Sequence, residues 1–131
     1  MSPQEFDGRV AIVTGASSGI GRATAEMLLS RGAVVAAFAR TATSAGLDPR
    51  MLAIDGDVSD PSAIERLFAE TESRLGDCDI LINSAGMIDP KLLTEVDPDE
   101  WDRMFAVNVR GTYLASRRAL PAMIARRSGA I

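Results

Sequence analysis

Three glycines spaced Gly-x-x-x-Gly-x-Gly follow an apolar run at 10–13, in the stretch Thr14-Gly15-Ala16-Ser17-Ser18-Gly19-Ile20-Gly21. The chemistry that suits this pattern is the holding of a phosphate by backbone N–H groups at a strand-to-helix turn. Gly15 permits a turn that a side chain would obstruct. Gly19 lets the backbone approach a pyrophosphate, and Gly21 lets the next helix pack closely on the strand. The ligand's negative charge would meet the unpaired N–H groups of the helix start. Ser17 and Ser18 carry hydroxyls that can bond phosphate or satisfy the turn itself. A Walker loop is excluded, because Gly21 is followed by Arg22 and Ala23 and not by Lys and then Ser or Thr.

Other chemistries have little to work with. The chain has no histidine and one cysteine, Cys78, so an internal disulfide and a zinc set are both excluded. No metal site is expected, and Cys78 is read as a small buried hydrophobe. A formal charge of -4 argues against a nucleic-acid surface. The arginine pairs 117/118 and 126/127 are read as solvated helix faces. No stretch approaches the roughly 20 apolar residues of a membrane span, and residues 1–6 lack a secretory profile, so a cytoplasmic protein is expected.

The elements that must position the loop follow from periodicity. With 131 residues, 47% of them hydrophobic, the chain can bury one core as one domain. Apolar runs at 10–13, 34–38, 51–54 and 80–82 alternate with helix-period segments, and Ala130 and Ile131 look like a fifth run beginning. That alternation predicts an α/β fold, a Rossmann-type doubly wound parallel sheet with helices on both faces, incomplete at its C-terminal side. The first helix is expected over 19–30, with Ile20, Ala23, Met27 and Leu28 on one side and Arg22 and Glu26 facing away. A second starts with Asp60 as cap and Pro61 in the first turn and closes at Gly76. The third has Asp97 as cap and Glu100 completing a capping-box-like pair. It is expected to continue past Asn108 toward Arg127, kinked at Pro121. The link 40–50 is too short for a full helix.

Four motifs in order resemble the short-chain dehydrogenase/reductase family over nearly the whole chain. Residues 14–21 look like its cofactor loop, and Asp57-Val58 like its adenine-contacting pair. Asn83-Ser84-Ala85-Gly86 is similar to its Asn-Asn-Ala-Gly turn, with Ser84 for the second asparagine. Asn108, in Phe105-Ala106-Val107-Asn108-Val109-Arg110-Gly111, stands where the family keeps a catalytic-site asparagine. The resemblance implies an NAD(P)-binding oxidoreductase. Its cofactor contacts would be Gly15, Ser17, Ser18, Gly19, Ile20, Arg40, Asp57, Val58, Asn83, Ala85 and Gly86, with Asn108 linking an active-site lysine to water. Its substrate would be a small carbonyl or alcohol, and the complete enzyme would be a homo-oligomer.

The residues also carry readings of their own. Asp57 ends a predicted strand, where its carboxylate can accept from an adenine amino group or serve as a turn or cap aspartate. The Asn83 amide can brace neighbouring backbone. Asn108 shares a helix face with Trp101, Met104 and Phe105, so its amide must bond backbone, water or a site group. In this fold the residue ending the second strand reads the adenosine ribose. Here the strand ends Phe38-Ala39-Arg40, with Ala39 where NAD-preferring members usually hold Asp, a pattern that resembles NADP-preferring members. Arg40 is then either a 2′-phosphate ligand or a solvated loop arginine; NAD remains possible.

The family's Tyr-x-x-x-Lys pair has no match among these residues. Tyr113 is the only tyrosine, its fourth successor is Arg117, and Lys91 is the only lysine. An arginine with a pKa above about 12 cannot pass on a proton as a relay lysine does. The chain is therefore expected to be the N-terminal portion of a longer domain, binding cofactor but inactive alone. The alternative is a non-catalytic dinucleotide-binding module.

Overall fold

In the computed structural model, which describes residues 4–131, the apolar runs are four parallel strands. Residues 1–3, part of the stretch read for a leader, lie outside the described residues. The strands are β1 (Val10–Thr14), β2 (Val34–Ala39), β3 (Leu52–Asp55) and β4 (Ile80–Asn83). They lie in the order β3-β2-β1-β4. Parallel strands covered on both faces have no polar side to show, which is why they read as unbroken apolar runs.

Alternation along each strand sends successive side chains to opposite layers. Ala11, Val13, Val35 and Ala37 pack with Ala25 and Leu28 of α1 (Gly19–Ser30). Ile12, Ala36, Phe38, Ile54 and Leu81 pack with Ile64, Leu67 and Phe68 of α2 (Pro61–Arg74) and with Ala115, Ala119 and Met123 of α4 (Gly111–Arg126). This is the doubly wound arrangement, with its topological switch point between β1 and β4. A crevice opens there beyond the carboxyl ends of the strands.

The helix starts follow their caps. The Asp60 carboxylate accepts from the Ser62 N–H at 2.9 Å, and Asp97 accepts from the Glu100 N–H at 3.0 Å at the start of α3 (Pro98–Phe105). The capping box is only half formed, because the Glu100 carboxylate takes the Lys91 ammonium at 2.8 and 2.9 Å. The link after β2 holds only a 3₁₀ turn at Ala42–Ser44, as its length predicts. Beside β4, Ala130 makes a parallel bridge to Ile80, where the fifth run is expected to begin.

Two expectations are corrected. The long third helix is not regular throughout: it runs on past Asn108 from α3 into α4 as expected, but through a π-helical turn at Ala106–Arg110, and Pro121 sits inside α4 without ending it. A wider turn re-phases the helix on either side. The arginine pairs are not merely solvated. Arg118 donates to Glu65 at 2.7 Å and to Glu72 at 2.8 Å and lies 5.3 Å over the Phe68 ring. Arg126 donates to Asp79 at 3.2 Å and to the Cys78 carbonyl at 2.9 Å. Both clamp α4 to elements distant in sequence, which helical periodicity cannot show. Cys78 is buried as expected, and burial pushes its thiol up to about 11.

Candidate functional site

The glycine loop lies at the carboxyl end of β1 in a conformation that glycine permits. Gly15 has φ +66°, and a Cβ there would stand 2.7 Å from the backbone N and Cα of Ala85. A Cβ on Gly21 would stand 2.2 Å from the Gly15 carbonyl oxygen, so α1 approaches the loop as closely as backbone allows. At Gly19 the added atom would meet nothing within 4 Å. The inner side of the loop is sealed against Ser84 and Ala85, just after β4, and its outer side is open. The Ser18 side chain makes no capping bond and the first turn of α1 has no acidic residue. The helix start therefore keeps its N–H groups and its positive dipole end for an anion.

Thr14 explains how the two sides of the switch point are joined. It is fully buried at the end of β1, and its hydroxyl oxygen accepts from the backbone N–H groups of Ser84 and Ala85, each at 3.2 Å. A polar residue closing an apolar strand just before the loop was the available signal for it.

A cleft of about 690 Å³ runs across these carboxyl ends. It gathers Gly15, Ser17, Ser18, Gly19, Ile20, Arg40, Asp57, Val58, Ala85 and Gly86 from four separate segments. Neither Asn83 nor Asn108 lines it. The Asn83 amide donates to the Ser116 hydroxyl at 3.3 Å, bracing β4 against α4. Asn108 is exposed, as are Trp101 and Phe105, so the expected burial of that face is corrected. Its amide makes a reciprocal pair with Met87, accepting from the backbone N–H at 2.8 Å and donating to the carbonyl at 2.7 Å. That pair holds the segment after β4, which lines the cleft through Gly86 and Met87.

Asp57 has most of its acceptor capacity in use. One carboxylate oxygen accepts from the Ser59 N–H at 2.9 Å and the Ser59 hydroxyl at 2.7 Å, and the other accepts from Arg103 at 2.6 Å. A carboxylate has about four lone-pair sites, so about one is left for a ligand. Burial raises the Asp57 pKa, but the bonds from Ser59 and Arg103 outweigh it and hold the value to about 2. Asp-x-Ser is a legible turn signal for Ser59; nothing local in the sequence announces Arg103, which also lines the cleft. Arg40 is exposed on the rim, and among the described residues it makes no ion pair.

The cleft thus carries an anion-ready helix start, and its lining also holds a free guanidinium and an ionised carboxylate. Among the described residues no acidic, histidine or cysteine group could hold a metal ion, and no helix is long and apolar enough to cross a membrane.

A model of the family described as short chain dehydrogenase matches residues 9–131. The sorbitol dehydrogenase of Cereibacter sphaeroides is 41% identical over 125 residues, covering 92% of this chain and 49% of the relative. The 2,3-dihydro-2,3-dihydroxybenzoate dehydrogenase of Bacillus subtilis is 37% identical over 139 residues, covering 100% of this chain and 53% of the relative. Among solved structures, the ligand-free aldohexose dehydrogenase of Thermoplasma acidophilum superposes with a TM-score of 0.84 at 31% identity, covering 95% of this chain and 48% of that one. The chain spans about half the length of the curated relatives it matches.

Proposed function

Because the chain belongs to the short-chain dehydrogenase/reductase family of oxidoreductases, we propose that its cleft holds a nicotinamide dinucleotide, NADP in preference to NAD. One observation carries this reading: an uncapped helix start beside the open Gly19 and an unpaired Arg40 lie on the same cleft. The first suits a diphosphate and the second a ribose 2′-phosphate. A charge-assisted bond from Arg40 is worth roughly 1.5–3 kcal/mol, about tenfold to a hundredfold in preference.

On this reading Gly15, Ser17, Ser18, Gly19 and Ile20 hold the phosphates, and Asp57 and Val58 hold the adenine. Ala85 and Gly86 form the facing wall. Asn83 acts at one remove, by bracing β4. Asn108 keeps the segment at Met87 in place, and its link to a lysine and water belongs to the complete enzyme. Hydride transfer with a small carbonyl or alcohol substrate is the chemistry the cofactor supplies when bound. These residues form one nucleotide-binding domain that binds without turnover. Trp101, Phe105, Val109 and Tyr113, exposed at four-residue spacing along α3, the π-helical turn and α4, suit a homo-oligomer of the complete enzyme. The lone thiol suits the cytoplasm.

Calorimetric titration with NADPH and NADH tests the reading. NADPH is expected to bind in the micromolar range and about tenfold or more tighter than NADH, with Arg40→Ala removing the difference. Absence of binding by both nucleotides overturns it. A second reading, a dinucleotide-binding module without chemistry, is favoured by the position of Tyr113, exposed on α4 and outside the cleft. The first reading requires the gene's reading frame to continue past Ile131 into a Tyr-x-x-x-Lys segment. A stop codon directly after Ile131 favours the second.

A further inference from the structure

The residue after the last glycine of the loop does more than face away from the core. Arg22 is half-buried, with 34% of its side chain exposed, and its guanidinium contacts two segments at once. It donates to the Ser17 carbonyl in the glycine loop at 3.4 Å. It also donates to the Ala45 carbonyl at 3.0 Å and the Gly46 carbonyl at 3.1 Å, both in the link after β2. Its remaining bond, to Glu26 at 3.2 Å, lies along α1 and orients the fork.

That link carries Arg40 and Thr41 to the cleft rim. Its other long-range side-chain tie runs the opposite way, from the Thr43 N–H and hydroxyl to the Asp55 carboxylate at 2.8 and 2.6 Å. Gly56 N–H likewise donates to the Ala39 carbonyl at 3.0 Å. Among the described residues, Arg22 makes the only side-chain bonds between the link and the glycine loop. Without it the link keeps the Thr43–Asp55 tie and the packing of Leu47 against the α1 layer but loses its polar hold on the glycine loop, so more of the ordering of Arg40 falls to the ligand. Ordering backbone and a long side chain on binding weakens binding.

We propose that Arg22 is a positioning residue for the ribose end of the cleft: by tying the link to the glycine loop it sets how strongly a 2′-phosphate is preferred over a 2′-hydroxyl. This rests on the cofactor reading above. A planar fork with five donors can serve three carbonyls from two segments, and an ammonium on a flexible stem cannot hold that geometry. Arg22→Lys therefore keeps the charge and removes the tie, separating positioning from simple attraction of an anion.

The test is calorimetric titration of the wild-type chain, Arg22→Lys, Arg40→Ala and the double variant with NADPH and NADH. Arg22→Lys is expected to lower the NADPH-over-NADH preference about tenfold, the scale of one charged hydrogen bond, with NADH affinity nearly unchanged. In the Arg40→Ala background the same change is expected to add nothing, because the two residues act through one contact. An unchanged preference overturns the proposal, and so does an equal loss for both nucleotides, which is what a merely structural role gives. A wild type that binds neither nucleotide, or binds both equally, removes the cofactor reading first. Should Arg22→Lys fail to fold, amide exchange on the wild type decides. Slowing at 41–46 by NADPH and not by NADH supports the tie, and equal slowing overturns it.

Discussion

Gly21→Ala sets two effects of opposite sign against each other. Helix propensity alone favours alanine over glycine by up to about 1 kcal/mol, so a surface helix would gain stability. Here the added Cβ would stand 2.2 Å from the Gly15 carbonyl oxygen, well inside the 3.0 Å limit that side chains essentially never breach, and 3.1 Å from the Ser84 hydroxyl. Overpacking costs about 1–3 kcal/mol when neighbours can shift, and this neighbour is backbone in a loop whose other side is pressed against Ala85. The upper end of that range applies, leaving a net loss of about 2 kcal/mol, or roughly 5–10 °C in Tm for a chain of this size. Urea and thermal denaturation followed by circular dichroism measure it. Gly19→Ala is the control: it meets no atom within 4 Å but keeps φ +57°, so it costs about 1–2 kcal/mol through backbone strain alone. A Gly21→Ala chain as stable as the wild type, or more so, refutes the claim that this glycine is needed for close approach.

Thr14→Val removes the acceptor of two N–H groups while keeping the shape, at an expected cost of about 1–3 kcal/mol, and Thr14→Ser restores most of it; urea midpoints decide. Folding favours the ionised form of Asp57, whose pKa falls from the usual 3.8 to about 2, so its contribution is full above about pH 4 and lost as the pH drops toward 2. Discounted for partial exposure, that contribution is on the order of 1 kcal/mol. The stability gap between wild type and Asp57→Asn should therefore close over that window, and a gap independent of pH counts against the Asp57–Arg103 pair. Cys78, with its thiol held near 11, should resist a disulfide reagent at about pH 8 until denaturant is added. Rapid labelling of the native chain contradicts its burial.

Much of the fold and part of the site are legible in the sequence. The strands, the first two helices and the starts at Asp60 and Asp97 follow from periodicity and capping, which act within a few residues. The glycine loop was legible for the same reason: what Gly15, Gly19 and Gly21 permit is a local matter of Cβ atoms. Where reasoning along the chain stopped was at the partners of polar groups. Asn108 shares a face with Trp101 and Phe105, whose apolar types suggest burial, whereas that face is exposed and the Asn108 amide pairs with the Met87 backbone. Arg118 and Arg126 read as solvated because their acids lie on other elements.

By itself, then, the sequence determined the alternation of strand and helix, the phosphate-ready loop and the family to which the chain belongs. Each depends on backbone sterics and side-chain period over short stretches. The tertiary structure decided which polar groups meet: Arg103 with Asp57, Thr14 with Ser84 and Ala85, and Arg22 with Ala45 and Gly46. Any arginine can serve any carboxylate or carbonyl, so residue type cannot choose among them. The order β3-β2-β1-β4 chooses, by bringing the ends of distant segments together on one cleft.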